Sequence, residues 1–223
     1  MTQLAQRPLR SAGLGLAEDA AKRALDIVVS LALIIVLWPL ATLLWCAVRR
    51  TSPGPGLFRQ ERLGLDRQPF TVLKLRTMYT DNNDQIHRDY VTSMLGDAKP
   101  QTAGSRGLFK LDADPRVTPL GAWLRRTSLD ELPQLLDVLS GQMSLVGPRP
   151  VLPWEEKLFS EAHRRRFAVK PGLTGLWQVS GRSKLSMQEA LDLDVEYVGR
   201  RSFALDLVIL VRTVPALLRG DAT

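Results

Sequence analysis

The chain has 223 residues, with 30 Lys and Arg against 23 Asp and Glu, a formal charge of +7, 45% apolar residues and one cysteine. That is enough chain for one domain with a sizeable core, and the composition excludes global disorder, an internal disulfide and a cysteine-built zinc site. With only two histidines, a metal would be held by oxygen ligands, hence Mg²⁺, Mn²⁺ or Ca²⁺, and the positive charge suggests an anionic partner.

Residues 1–15 are polar and glycine-containing and read as a flexible N-terminal arm. A helix from Leu16 leads into an apolar segment. Of the 25 residues 24–48, 21 are apolar, and 27–48 carries no charge. As a helix, 27–48 would rise about 33 Å, enough to cross a hydrocarbon core. A cleavable signal is a poor reading, because the run is too long and no small-residue cleavage site follows before Arg49 and Arg50. Pro39 lies mid-run, where proline removes a helical hydrogen bond. Lys22 and Arg23 precede the run and Arg49 and Arg50 follow it. The positive-inside rule is best satisfied with both ends cytoplasmic. Residues 16–50 therefore read as a re-entrant helix–break–helix, with a kinked single crossing as the alternative.

Thr51-Ser-Pro-Gly-Pro-Gly56 is a strong break. Residues 57–78 read as β-rich, and alternation puts Phe70, Val72, Lys74 and Arg76 on one face, with Lys74 and Arg76 about 7 Å apart. Residues 79–117 are a polar excursion with a short helix near 84–95. Helices fit 118–126, 131–140 and 153–167, and 171–175 reads as a loop. Ser186 and Glu189 form a capping-box pattern opening a helix to about Gly199. The apolar tail 203–218 contains Asp206, Arg212 and Pro215, so it suits an interfacial or core helix rather than a crossing. The fold class is α+β, mostly helical with short strands.

The most informative acids are Asp130 and Glu131, in Ser128-Leu-Asp-Glu-Leu-Pro-Gln134. Pro133 is tolerated only in a helix's first turn, so a helix should start near Asp130, where backbone N–H groups favour anions. An ionised aspartate can attack phosphorus, and a neighbouring glutamate can hold a divalent cation. The same residues also read as a capping box that needs no chemistry. Arg149 is held between two prolines in Gly147-Pro-Arg-Pro150, suiting either a phosphate contact or a rigid turn. Gly181-Arg182 is a weak phosphate-loop signal. His163-Arg-Arg-Arg166 reads as a solvated or lipid-facing helix face.

Ordered motifs run through most of the chain: Lys22-Arg-Ala-Leu-Asp26, Gly54-Pro-Gly-Leu-Phe-Arg-Gln60, Lys74-Leu-Arg-Thr-Met78, Asp114-Pro-Arg-Val-Thr118, the Asp130–Glu131 segment, Met143-Ser-Leu-Val-Gly-Pro-Arg-Pro150, Lys170-Pro-Gly-Leu-Thr-Gly-Leu-Trp-Gln178 and Asp194-Val-Glu-Tyr197. In these the chain resembles the bacterial sugar transferase family, the monotopic phosphoglycosyl transferases that begin glycan assembly on undecaprenyl phosphate. The resemblance implies a re-entrant helix broken at Pro39, a cytoplasmic catalytic domain over 51–223 and a location on the cytoplasmic face of the bacterial inner membrane. It implies Asp130 as nucleophile, Glu131 as ligand to Mg²⁺ (or Mn²⁺), and Lys74, Arg76, Arg149 and Arg182 near the diphosphate of a UDP-sugar. The implied partners are the UDP-sugar, undecaprenyl phosphate and phospholipids, with a homodimer left open and no nucleic acid. The family often has Asn where Asp137 stands, and 79–113 is a variable stretch. With about 20 residues ahead of the hairpin, the chain resembles the family's short form. A membrane-tethered polyanion-binding protein is the alternative class, and no nucleic-acid motif supports it.

Overall fold

The structure is a computed structural model that describes residues 15–80, 85–96, 114–181 and 185–218. Most of the expected N-terminal arm, and Arg182, lie outside the described residues.

Helix α1 (Leu16–Thr51) carries Glu18 and Asp19 in its first turn and Arg49 and Arg50 in its last, matching the helix dipole at both ends. The break expected at Pro39 is not an interruption, since the helix continues through it. A proline costs one N–H and has a helical φ, whereas a true break in an apolar run would leave several polar groups unsatisfied. The Thr42 hydroxyl donates to the Trp38 carbonyl at 3.0 Å beside the proline. Residues 31–43 include no buried side chain, and Ile35, Val36, Trp38 and Leu43 are largely exposed. The helix is long and apolar enough to cross a membrane.

Both ends of α1 dock on the same body. At the N-terminal end, Lys22 Nζ donates to Asp206 Oδ2 at 2.5 Å and to the Val146 carbonyl at 3.1 Å. Arg23 caps the Val138 and Leu139 carbonyls, both at 2.7 Å. Asp26 accepts from the Leu145 N–H at 2.9 Å and the Ser144 hydroxyl at 3.1 Å. At the other end, Leu44 and Val48 pack with Leu75 and Leu124.

After the turn at 52–56, β1 (Leu57–Leu63) and β2 (Pro69–Leu75) pair antiparallel, with Lys74 opposite Phe58 and Val72 opposite Gln60. Alternation along β2 sends Val72 into the main core and Leu75 into the cluster under α1, while Lys74 stays half-buried. Helix α2 (Gln85–Gly96) puts Val91 and Met94 against Trp177 and Met187. Helix α3 (Pro119–Thr127) starts at Thr118, whose hydroxyl accepts from the Gly121 N–H at 2.9 Å. A 3₁₀ turn (Leu129–Glu131) leads to α4 (Gln134–Ser140), which ends at Gly141 with φ 85°.

The stretch read as a loop at 171–175 contains a strand. β4 (Gly172–Thr174) pairs parallel with β3 (Ser144–Val146). The glycines permit it: a Cβ on Gly172 would fall 2.0 Å from the Gly147 nitrogen. The single helix expected over 153–167 is instead α5 (Pro153–Glu156), α6 (Glu161–Arg164) and a 3₁₀ turn (Arg165–Ala168). Ser160 restarts the chain as an N-cap, and the Phe159 and Phe167 rings stack at 6.5 Å. Helix α7 (Leu176–Ser180) precedes α8 (Met187–Arg200), which opens with the expected Ser186–Glu189 capping box. Helix α9 (Phe203–Leu218) buries Asp206 and Ile209 and exposes Leu207, Val208, Val211, Val214 and Leu217. Its inner face is tied down by the Tyr197 hydroxyl, which donates to Asp206 Oδ1 at 2.7 Å.

Candidate active site

Lys74, on the pocket face of β2, donates to Glu131 Oε1 at 2.7 Å. The two line an open pocket with Arg62, Gln134, Arg149 and Gln178, and with Val72, Pro150 and Leu173 as its apolar wall. Three of the sequence-derived candidates (Lys74, Glu131 and Arg149) are thus brought together. Three cations facing one carboxylate give the pocket a surplus of positive charge suited to phosphate groups.

Asp130 is adjacent in the chain but does not belong to that wall. It is 4% exposed. It faces the charge of Arg125, whose Nε donates to the Thr77 hydroxyl at 2.9 Å. Burial lowers the Arg125 pKa, and Asp130 and Asp114 oppose that shift. Asp114 in turn holds Arg116 by a two-pronged pair at 2.9 and 2.8 Å. Burial pushes the Asp114 carboxyl up, but the Arg116 hydrogen bonds outweigh it and leave the group below its ordinary value. The capping-box reading of Ser128 fails, because Ser128 sits in the left-handed region (φ 55°) and its side chain makes no cap hydrogen bond. The turn therefore presents Asp130 and Glu131 to different surroundings.

The Arg149 loop is held from beneath. Arg166 Nη2 donates to the Arg149 carbonyl at 2.7 Å and to Asp194 Oδ2 at 2.6 Å. This corrects the reading of 163–166 as a solvated face, since Arg166 is 2% exposed. Burial raises Asp194 above the usual carboxylate range and lowers Arg166, and each charge partly offsets the other's shift. Arg62 braces the same loop by donating to the Pro150 carbonyl at 3.2 Å, with Glu155 3.8 Å away.

Arg76 is not where alternation put it. The strand ends at Leu75, and the Arg76 guanidinium turns to the end of α1, donating to the Ser52 carbonyl at 2.7 Å, the Ser52 hydroxyl at 2.9 Å and the Pro53 carbonyl. A Cβ on Gly54, whose φ is +114°, would fall 2.2 Å from Arg76 Nη1. Arg76 fastens α1 to the hairpin, and it does not line the pocket. Arg62, Arg125 and Gln134 escaped the sequence reading because their roles rest on contacts between distant segments.

Asp137 lies under β2, 5% exposed, and its Oδ2 accepts from the Leu73 N–H at 3.1 Å. Burial pushes its carboxyl up to about 6, and the Leu73 hydrogen bond only partly opposes this. The folded state therefore keeps a proton that the unfolded chain gives up, so stability falls as pH rises from about 4 to about 6. Asp137→Asn retains an acceptor for Leu73 without the buried charge. It should raise stability by about 1–2 kcal/mol at pH 8, with the gain vanishing near pH 4. Denaturant melts at the two pH values check this, and an equal effect at both would contradict it.

Among the described residues no group of three or more His, Cys, Asp or Glu side chains is poised for a metal. One pocket carboxylate, Glu131, shared with Lys74 and flanked by the amides of Gln134 and Gln178, fits a Mg²⁺ held mainly by substrate phosphates and water rather than by a protein cage.

Known proteins resemble this chain over most of its length. The model of the bacterial sugar transferase family matches residues 17–220. The exopolysaccharide production protein ExoY of Sinorhizobium fredii is 40% identical over 202 residues, covering 90% of this chain and 87% of that protein. The UDP-glucose:undecaprenyl-phosphate glucose-1-phosphate transferase of Caulobacter vibrioides is 40% identical over 213 residues, covering 92% of this chain and 72% of the relative. The undecaprenyl-phosphate galactose phosphotransferase of Salmonella typhimurium is 37% identical over 200 residues, which is 90% of this chain and 41% of that longer protein. With the match spanning nearly the whole chain, this protein belongs to the bacterial sugar transferase family.

Proposed function

We propose that this protein moves a sugar-1-phosphate from a UDP-sugar to undecaprenyl phosphate, releasing UMP, as the first membrane step of exopolysaccharide or related glycan assembly. The observation that carries the reading is the cationic pocket of Lys74, Arg62 and Arg149 around Glu131, next to Asp130, on a domain that both ends of an apolar helix hold. Such a pocket suits a diphosphate, and such an anchor suits a lipid co-substrate whose phosphate lies at the membrane surface. Relatives named for undecaprenyl-phosphate sugar transfer support it.

In this mechanism the diphosphate competes with Glu131 for Lys74 and is clamped by Arg149. An Asp130 carboxylate oxygen attacks the β-phosphorus. The bond from that phosphorus to the bridging oxygen breaks, and UMP leaves with the electron pair. A phosphate oxygen of the lipid then attacks the same phosphorus and displaces Asp130, giving lipid-diphosphate-sugar. Glu131 and the substrate phosphates would hold Mg²⁺, which when bound offsets the charge of the diphosphate. UMP release with UDP-glucose and UDP-galactose, at varied undecaprenyl phosphate, should give parallel double-reciprocal lines. Intersecting lines would rule out the two-step route.

That both ends of α1 dock on one body supports a chain on one side of the membrane, the cytoplasmic face in this reading. Single cysteines at Gly15 and Arg50, in a Cys46→Ala background, should react with an impermeant reagent from the same side of sealed vesicles. Reaction from opposite sides would establish a crossing.

A further inference from the structure

Gln134 is the buried pocket residue that the mechanism above leaves without a task. It is 3% exposed and lines the pocket with Lys74, Glu131 and Arg149. Its Nε2 is buried and makes no hydrogen bond among the described residues. A buried amide N–H without an acceptor is costly, and native structures retain one where something else supplies the acceptor. The chemistry around it says what that is. Lysine and arginine side chains bring anionic oxygens into this pocket, and an anionic oxygen is the acceptor an amide N–H takes best. Its place in the chain narrows the choice further. The backbone from the 3₁₀ turn through Leu132 and Pro133 into α4 is helical. Residues three and four apart on a helix are neighbours. Gln134 therefore shares a flank with Glu131, the residue next to Asp130 in the chain.

We propose that the Gln134 carboxamide donates its N–H to a non-bridging oxygen of the phosphoryl group that Asp130 receives. It is then a catalytic residue that orients this group for both transfers and stabilises the charge that grows on its oxygens. The inference rests on the phosphoryl-transfer reading and adds to it a substrate contact. A donor of this kind acts more strongly in the transition state than in the ground state, so its loss falls on kcat more than on KM.

The test uses the full-length chain in detergent with Mg²⁺, undecaprenyl phosphate and UDP-glucose, UDP-galactose or a UDP-N-acetylhexosamine, reading UMP release and thermal melting together. Gln134→Leu keeps the volume and removes the donor. It should slow UMP release about 100-fold with little change in KM. Its melting temperature should be equal to or above wild type, because an unpaired buried polar group has gone. Gln134→Glu supplies a second arm that does not depend on the leucine variant folding. It should be slow at pH 8, and its rate relative to wild type should recover as the pH falls and the carboxyl regains a proton to donate. A Gln134→Leu rate within twofold of wild type, or a Gln134→Glu ratio flat with pH, would overturn the assignment. Wild type releasing no UMP from any of these sugar nucleotides would instead overturn the phosphoryl-transfer reading, and this inference with it.

Discussion

Asp130→Asn is expected to lower UMP release by at least about 10⁴-fold, since removing a covalent nucleophile leaves only binding and electrostatic effects. The substitution is close to isosteric and the site is 4% exposed, so the fold should survive. Stability should fall modestly, because Arg125 loses a facing charge and retains Thr77 and Asp114. This split between rate and stability separates two roles for the same residue. A carboxylate present only to neutralise Arg125 would cost stability while leaving UMP release within about tenfold of wild type.

The second large effect is expected far from the phosphate. Asp194→Ala leaves Arg166 buried without its carboxylate, a loss of about 3–5 kcal/mol, or a melting temperature lower by roughly 10 °C. The same change frees the Arg149 loop, which Arg166 and Asp194 hold from below. Activity should therefore drop through a raised KM for the UDP-sugar. Pairing Asp194→Leu with Arg166→Met removes both charges and should recover most of the stability, though not the loop's position. A double variant no more stable than Asp194→Ala would show that the ion pair itself is not what is lost.

Much of the fold was legible locally. The apolar helix, the β-rich stretch 57–78, the Ser186 cap and the α9 tail all carry signals within a few residues of themselves. What was not legible depends on distant partners. Gly172 joins a strand only because Gly147 lets the backbone come close. Arg166 sits in an arginine run that reads as solvated, yet Asp194 and the Arg149 carbonyl, both remote in sequence, bury it. Arg76 follows the strand's alternation on paper, but the chain leaves the sheet one residue earlier and the side chain closes over the end of α1. Lys74 and Glu131 did come together. The period of the strand aimed the one, and the turn before Pro133 placed the other.

The central claim is that Asp130 carries the phospho-sugar between the two substrates. Intact-protein mass spectrometry after incubation with the UDP-sugar and Mg²⁺, without lipid, tests it most directly. Wild type should gain the mass of one sugar phosphate, mapped to the peptide bearing Asp130, and adding undecaprenyl phosphate should discharge it. Asp130→Asn should gain nothing. An adduct that persists in Asp130→Asn, or UMP release by wild type with no adduct at any time point, would contradict the account.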